Sequence, residues 1–197
     1  MSPLEVLGLV LGTSFAAGLN LYATVLTAGL AQRLGWIALP GGLDVLADPL
    51  VLGIAGVLFV VEFLADKVPL VDSAWDLAHM LVRPVAAGVL ALGAAGDLPA
   101  SWQVAAALLA GGVALTSHGA KASTRAAVNA SPEPVSNVAL SLGEDMLAVG
   151  LTWLAVEHPV PAAVVAVVLV VLAVVVIRAF WRLVRRVAGR GRQGAAS

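Results

Sequence analysis

One stretch of the chain, residues 160–177, contains no polar side chain and is rich in valine. An apolar run of this length is long enough for a helix to cross the hydrocarbon core of a bilayer, which is about 30 Å thick. Only 12% of the residues are charged and the mean hydropathy is +0.99, whereas about a quarter of the residues of a soluble domain are charged. The sequence therefore predicts an integral membrane protein.

Proline, glycine and aspartate divide the chain into apolar stretches that are each about the length of a membrane crossing. The predicted spans are residues 3–35, 48–67, 72–96, 99–129, 133–157 and 160–177. We therefore expect an all-α, polytopic membrane bundle of about six transmembrane helices. One transmembrane domain is expected over residues 1–189, and a flexible, basic cytoplasmic tail over residues 190–197.

The basic residues would be unevenly distributed over the two sides of a six-span bundle. One side would hold only Arg33 near its surface, and the other would hold Lys67, Lys121, Arg125, Arg178, Arg182, Arg185, Arg186, Arg190 and Arg192. Because loops rich in lysine and arginine remain in the cytoplasm, both termini are predicted to be cytoplasmic, in the inner membrane of a bacterium. The basic C-terminal stretch is expected to anchor this topology and to touch anionic lipid.

The chain lacks cysteine and the common catalytic motifs. The absence of cysteine excludes disulfides, thiolate nucleophiles, iron–sulfur clusters and cysteine-ligated zinc. The sequence also has no glycine-rich phosphate loop, no His-x3-His pair and no Gly-x-Ser-x-Gly elbow. Any chemistry is therefore expected on the spans or their short loops, and no nucleic-acid partner is expected.

Polar residues recur at helical spacing in four of the predicted spans. Ionisable side chains in a membrane are costly and usually face the interior of a bundle or water. Spacings of three and four residues place each set on one face of its helix. In chain order the sets are Glu62 and Asp66; Asp72, Asp76, His79 and Arg83; His118, Lys121, Arg125 and Asn129; and Glu133, Asn137, Ser141, Glu144 and Asp145. Together these faces are predicted to form one polar seam that opens to the cytoplasm.

Arg83 is predicted to lie near the middle of the membrane, because it stands roughly 16 Å along its helix from Asp72. We expect it to pair with Glu144 or Asp145. A pair with Glu62 of the neighbouring helix is the alternative. Such a pair would be either a structural lock between helices or a gate in a transport path.

The first predicted span carries small residues followed by polar ones. Gly8, Gly12 and Ala16 form a ridge at spacings of four, which favours close helix packing. Asn20 and Tyr22 come next, and each needs a hydrogen-bond partner in the membrane. They are expected either to line the polar seam or to bond to a neighbouring helix.

Four carboxylates cluster around one predicted turn, at Glu62, Asp66, Asp72 and Asp76. Oxygen ligands suit magnesium, calcium or manganese, so a divalent cation is a candidate cofactor. The competing interpretation is a solvated cytoplasmic rim in which Lys67 pairs with these carboxylates.

The second and third spans weakly resemble the fourth and fifth. Each pair consists of an apolar helix that turns polar at its end, a turn containing proline, and a helix with a polar start. This similarity suggests a repeat of two parallel hairpins.

Three segments carry a family pattern. They are residues 62–76 (EFLADKVPLVDSAWD) followed by His79 and Arg83-Pro84, residues 18–22 (GLNLY), and residues 131–137 (SPEPVSN) with Glu144-Asp145. The pattern resembles a bacterial membrane family catalogued as domain of unknown function 4126. The resemblance covers nearly the whole chain and implies a multi-pass membrane architecture, but no substrate.

The density of ionisable residues in the spans predicts a small transporter or channel for a proton or small inorganic cation. The four clustered carboxylates would attract the cation, Arg83 with Glu144 or Asp145 would act as the gate, and His79 and His118 would respond to protons. The alternatives are a metal-dependent intramembrane enzyme that acts on a lipid headgroup and a non-catalytic membrane assembly subunit. The expected partners are membrane lipid, a small ion and further copies of the same chain.

Overall fold

The computed structural model of the protein describes residues 1–129 and 134–194. Over these ranges the chain forms α-helices, one 3₁₀ helix and no strand. The helices are α1 (Pro3–Leu19), α2 (Leu21–Arg33), α3 (Pro49–Ala65), α4 (Pro69–Ala94), α5 (Ala100–Asn129), α6 (Pro134–Glu157) and α7 (Pro159–Gly194), with the 3₁₀ helix at Gly41–Ala47. The predicted all-α class is confirmed. Glu133, which belongs to a predicted polar face, lies outside the described residues.

Four helices of the described chain are long and apolar enough to cross a membrane. The spans are Val71–Ala94, Ala100–Asn129, Ser136–Glu157 and Pro159–Arg186, and two shorter apolar helices are Pro3–Leu19 and Pro49–Ala65. Large apolar side chains cover the outside of the bundle; Leu77 and Leu81 of α4 are 73% and 77% exposed. An apolar exterior of this kind suits lipid and not water. The fold is a helical membrane bundle.

The start of α3 follows the predicted capping chemistry. The Asp48 side chain accepts hydrogen bonds from the backbone N–H groups of Leu50 and Val51, and Pro49 occupies the first helical position. Proline is favoured there because that N–H has no partner within the helix.

The first predicted span, residues 3–35, is two helices and not one. Asn20 has an extended backbone, with φ −147° and ψ 102°, so α1 ends and α2 begins at this residue. Its side-chain oxygen accepts a hydrogen bond from the backbone N–H of Ala23 at 2.9 Å, which caps α2. A single helix over the whole segment would be about 50 Å long, well beyond the thickness of the hydrocarbon core.

The ridge of small residues on α1 makes the predicted close contacts. A Cβ on Gly8 would collide with the backbone of Pro159 at the start of α7, and a Cβ on Gly12 would lie 2.6 Å from the Cβ of Ala155. α1 therefore begins at the end of the bundle where α6 ends and α7 starts.

α2 returns to that same end of the bundle. Leu9 of α1 and Ala28 of α2 line one narrow cavity, which places the two helices side by side. Just beyond α2, Trp36 contacts Trp153 near the end of α6, with ring centroids 5.9 Å apart. The two helices thus form an antiparallel hairpin that enters the bundle, turns at Asn20 and leaves on the side where it entered.

Because α1 and α2 form a hairpin, the two ends of the chain are not placed as a single crossing over residues 3–35 would place them. α1 begins beside the start of α7, so the start of α1 and the end of α7 lie at opposite ends of the bundle. The expectation that both termini share one side is corrected here, because it assumed a full crossing over residues 3–35. At the other end of the chain, α7 continues to Gly194, inside the predicted tail, and residues 195–197 lie outside the described residues.

Candidate functional site

The polar faces of α3, α4, α5 and α6 meet around Asn20 in one buried group, which we call the polar cluster. No member is more than 9% exposed. The members are Asn20, Glu62, Asp66, Asp72, Asp76, His79, Arg83, His118, Lys121, Arg125, Asn137, Ser141, Glu144 and Asp145. The spacing of polar residues in the sequence therefore selected side chains that the fold brings together.

Arg83 lies at the inner end of the cluster and pairs with Glu62. Its Nη2 lies 2.6 Å from Glu62 Oε1, and both side chains are completely buried. Its Nη1 donates to the backbone oxygen of Gly18 at 2.9 Å and to His118 Nδ1 at 2.7 Å. The guanidinium therefore joins α3, α4, α5 and the end of α1.

The expected pairing of Arg83 with Glu144 or Asp145 is wrong, and the alternative partner is the one observed. α6 packs mainly against α1, α2 and α7, so its carboxylates reach other groups. Glu144 pairs with Arg125 of α5 at 2.6 Å. Asp145 accepts a hydrogen bond from the Asn20 side-chain amide at 2.8 Å.

Arg125 binds three carboxylates on three helices. Its Nη2 lies 2.6 Å from Glu144 Oε2 and 3.0 Å from Asp66 Oδ2, and its Nη1 lies 3.5 Å from Asp72 Oδ1. Nη1 also donates to the backbone oxygen of Asp66 at 2.8 Å. Near the end of α5, Asp72 accepts from Asn129 at 3.4 Å, and Asn129 in turn accepts from Asn137 at 2.7 Å.

Lys121 stands one helical turn before Arg125, and several oxygen atoms surround its ammonium. Nζ lies 3.1 Å from Asp66 Oδ2 and 3.4 Å from Glu62 Oε1. It also donates to the backbone oxygen of Leu19 at 3.2 Å. This one cation therefore contacts α3 and the end of α1.

Carbonyl groups near the end of α1 bind side chains of the cluster and of Ser117 on α5. The oxygens of Gly18 and Leu19 accept from Arg83 and Lys121, and that of Phe15 accepts from Ser117 at 2.7 Å. The C-terminal end of a helix carries partial negative charge, and its last carbonyls have no partner within the helix. This contribution was not predicted from the sequence. The available signal was Asn20, a potential helix cap in the middle of an apolar span.

The hydrogen-bond partners of the two histidines of the cluster indicate the tautomer that each ring adopts when it is neutral. Arginine can only donate, so His118 Nδ1 accepts from Arg83 and Nε2 donates to the backbone oxygen of Asp76 at 2.9 Å. His79 Nδ1 donates to the backbone oxygen of Trp75 at 2.9 Å, which leaves Nε2 to accept from the Tyr22 hydroxyl at 2.9 Å. Tyr22 thus bonds to a side chain of the neighbouring helix α4 that belongs to the cluster. This bond fits both of the roles predicted for Tyr22, which were to line the polar seam or to bond to a neighbouring helix.

The cluster contains more negative than positive groups. Six carboxylates face three basic side chains, which gives a formal excess of three negative charges when all are ionised. Several buried oxygens also have no hydrogen-bond partner. Among the described residues these are Glu62 Oε2, Asp66 Oδ1, Asp72 Oδ1, Asp76 Oδ1, Asn137 Oδ1, Ser141 Oγ and Asp145 Oδ2.

A cavity of about 300 Å³ lies beside the cluster, between α4 and α5. Its polar wall includes Asp72, Asp76, His118 and Arg125, and its apolar rim includes Leu77, Met80 and Leu115. The cavity lies next to two carboxylates of the cluster, and Leu77 on its rim belongs to the lipid-facing exterior.

The four carboxylates proposed as a metal site bind basic side chains instead. Within the ranges that the structure describes, no three histidine, aspartate or glutamate side chains are arranged to hold a metal ion. Lys67 does not pair with them either, since its Nζ donates to the backbone oxygen of Phe63 at 2.8 Å and lies 3.0 Å from the centroid of that ring. Partial burial lowers the pKa of Lys67 from its ordinary value.

A family model described as "Domain of unknown function (DUF4126)" matches residues 7–179, a range that includes every member of the polar cluster. No curated protein matches the chain, and no solved structure matches it.

Proposed function

The chain belongs to the family of the domain of unknown function 4126, and we propose a function from the polar cluster because the family description assigns no activity. The protein is a small transporter that moves a proton or small inorganic cation across the membrane. The observation that carries the proposal is the excess of three carboxylates over basic side chains in a buried site. An excess of carboxylates attracts a cation, whereas ion pairs that only hold helices together can be balanced in charge.

Unbalanced charge inside a membrane protein is costly, and removing one partner of a buried pair costs about 3–5 kcal/mol. The cluster can avoid this cost by taking up protons or cations. Unpartnered oxygens such as Glu62 Oε2 and Asp145 Oδ2 are available acceptors for such a proton or cation. The cavity beside Asp72 and Asp76 supports access from one side.

The position of the α1–α2 hairpin also supports the proposal. Its turn at Asn20 covers the inner end of the cluster, where Gly18 contacts Arg83. Helices that break near the middle of the membrane, with their ends facing the transported ion, are typical of secondary transporters. In this scheme the cation enters beside α4 and α5, and the hairpin turn is the barrier that it must pass.

The orientation follows from the positive charges. Arg178, Arg182, Arg185 and Arg186 lie toward the far end of α7, and the positive-inside rule places that end in the cytoplasm. The start of α1 is then on the outer side, with the cavity near Asp72 facing the cytoplasm. Residence in a bacterial inner membrane and assembly of several copies stay predictions.

Asp76→Asn is the variant that best tests transport. The Asp76 carboxylate is 6% exposed and lines the cavity, and its Oδ1 lies 3.7 Å from Arg83 and 4.0 Å from Lys121. These distances are too long for hydrogen bonds, so an amide can replace the carboxylate with little structural change. Asp97→Asn, at an exposed position outside the cluster, is the matched control.

The experiment measures flux of protons, monovalent cations, divalent cations and small anions in proteoliposomes. We expect flux of a proton or cation in the wild type and in Asp97→Asn, and at least a tenfold reduction in Asp76→Asn. No flux of any ion in folded, inserted wild-type protein would refute the proposal. It would instead favour an assembly subunit, in which the ion pairs only hold the helices together.

A further inference from the structure

The environment of the Lys121 ammonium resembles a binding site for a free cation more than an ordinary ion pair. Five oxygen atoms lie within 4.0 Å of Nζ, one from a backbone carbonyl and four from different carboxylates. They are Leu19 O at 3.2 Å, Asp66 Oδ2 at 3.1 Å, Glu62 Oε1 at 3.4 Å, Glu144 Oε2 at 3.9 Å and Asp76 Oδ1 at 4.0 Å. They come from α1, α3, α4 and α6.

Lysine cannot satisfy all of these oxygens. An ammonium group has three N–H donors, and three of the five oxygens lie within hydrogen-bonding distance of Nζ. Asp76 Oδ1 lies beyond that distance and has no other hydrogen-bond partner, although its side chain is more than nine-tenths buried. The other three carboxylate oxygens also accept from Arg83 or Arg125, so Asp76 Oδ1 is the ligand that the site offers and its occupant leaves unused.

The two arginines of the cluster are held by shorter hydrogen bonds than Lys121. Arginine presents a rigid planar fork, whereas lysine is a compact point charge on a flexible stem. Arg83 and Arg125 are each held by hydrogen bonds to a carboxylate shorter than 3.0 Å, but each bond of the Lys121 ammonium is longer than 3.0 Å. Of the three basic side chains, Lys121 is the one that another cation can most readily displace.

We propose that the Lys121 ammonium is a tethered substitute for the transported ion, and that the oxygens around Nζ form the binding site for a monovalent cation of about ammonium size. The oxygen distances of 3.1–4.0 Å suit such an ion better than magnesium or calcium, which bind oxygen at about 2.0–2.6 Å. In this scheme the cation and Lys121 compete for one position. The inference rests on the proposed function, since it names the site and the class of ion.

Lys121→Ala removes the tethered competitor and raises the formal charge excess of the cluster, so the variant should bind a free cation in its place. Lys67→Ala is the matched control, because Lys67 is the other lysine of the chain and its ammonium lies outside the cluster. The melting temperature of each purified protein is measured in detergent against ammonium, potassium and sodium chloride. N-methylglucamine chloride serves as the control for ionic strength.

We expect at least one of the three small cations to stabilise Lys121→Ala saturably, at a concentration at least ten times lower than for the wild type or Lys67→Ala. A ligand at one hundred times its Kd should raise the melting temperature by about 5–10 °C in a chain of this size. Equal responses of folded Lys121→Ala and wild type to all four salts would overturn the inference.

If Lys121→Ala is recovered only when a small cation is present during solubilisation, that recovery supports the inference. If no salt recovers it, Lys121→Ala/Glu62→Gln, which removes one charge of each sign, is measured in the same way. No cation-specific stabilisation of that folded double variant would overturn the inference. Binding is measured without flux, so a variant that binds cations beside a wild type that moves none would refute transport and leave the binding site standing.

Discussion

Removal of a basic side chain from the polar cluster should destabilise the protein far more than neutralisation of a carboxylate. Arg125 and Glu144, which lie 2.6 Å apart, provide the comparison. In Arg125→Gln the carboxylates of Glu144 and Asp66 lose their shared guanidinium, and breaking a buried pair in this way costs about 3–5 kcal/mol. In Glu144→Gln the amide oxygen still accepts from Arg125 and the charge excess falls, so the expected cost is about 1 kcal/mol.

The difference of roughly 2–4 kcal/mol corresponds to a gap on the order of 10 °C in melting temperature for a chain of this size. The assay is thermal unfolding of the purified proteins in one detergent at neutral pH. Arg178→Gln is the matched control, because Arg178 is exposed on α7 and its loss should change the stability by less than about 0.5 kcal/mol. Equal losses in Arg125→Gln and Glu144→Gln would show that the cluster carries no excess of ionised carboxylates, and would remove the basis of the proposed function.

Two further predictions concern the α1–α2 hairpin. Gly18→Ala should destabilise the protein by about 1–3 kcal/mol, because the new Cβ would collide with Ala114 and Ser117 of α5. Gly53→Ala should be neutral or slightly stabilising, because a Cβ there would meet no atom within 4 Å apart from its chain neighbours and its own helix backbone. Equal melting temperatures for the two variants would contradict the packing of α1. Since the chain has no cysteine, single cysteines at position 2 and position 186 can be labelled with an impermeant reagent, and the hairpin predicts that they react from opposite sides of the membrane. Labelling of both from one side would contradict the hairpin.

The features that could be predicted from the sequence are those that local periodicity determines. Helical spacing fixes which side chains share a face, so Asp72, Asp76, His79 and Arg83 of α4 could be grouped before the fold was known. The cost of ionisable groups in a membrane then requires that such faces meet. The cap at Asp48 and the packing of the ridge on α1 likewise depend on neighbours in sequence or on side-chain size alone.

The features that could not be predicted depend on how helices are placed relative to one another. The spacing on α3, α4 and α6 is equally compatible with Glu62, Glu144 or Asp145 as the partner of Arg83, and the position of α6 beside α1 decides between them. Asn20 was selected as a polar residue in need of a partner, and the partner of its amide, Asp145, lies 125 positions away. Asn20 as a potential helix cap was a local signal for the break between α1 and α2, but nothing in the sequence indicates which side chains bind the backbone oxygens of Gly18 and Leu19.

The connection between the hairpin and Lys121 bears directly on how an ion could move through such a site. A ligand shifts a conformational equilibrium only if it interacts differently with the two states. Lys121 binds the last carbonyl of α1 at 3.2 Å and two carboxylates of α3. A cation that displaces this ammonium would bind the same carbonyl but would lack the covalent link to α5, while Arg83 would still hold Gly18. On the proposed scheme, occupancy of the site therefore weakens the attachment of the hairpin turn that blocks the far side, which is the coupling that alternating access requires.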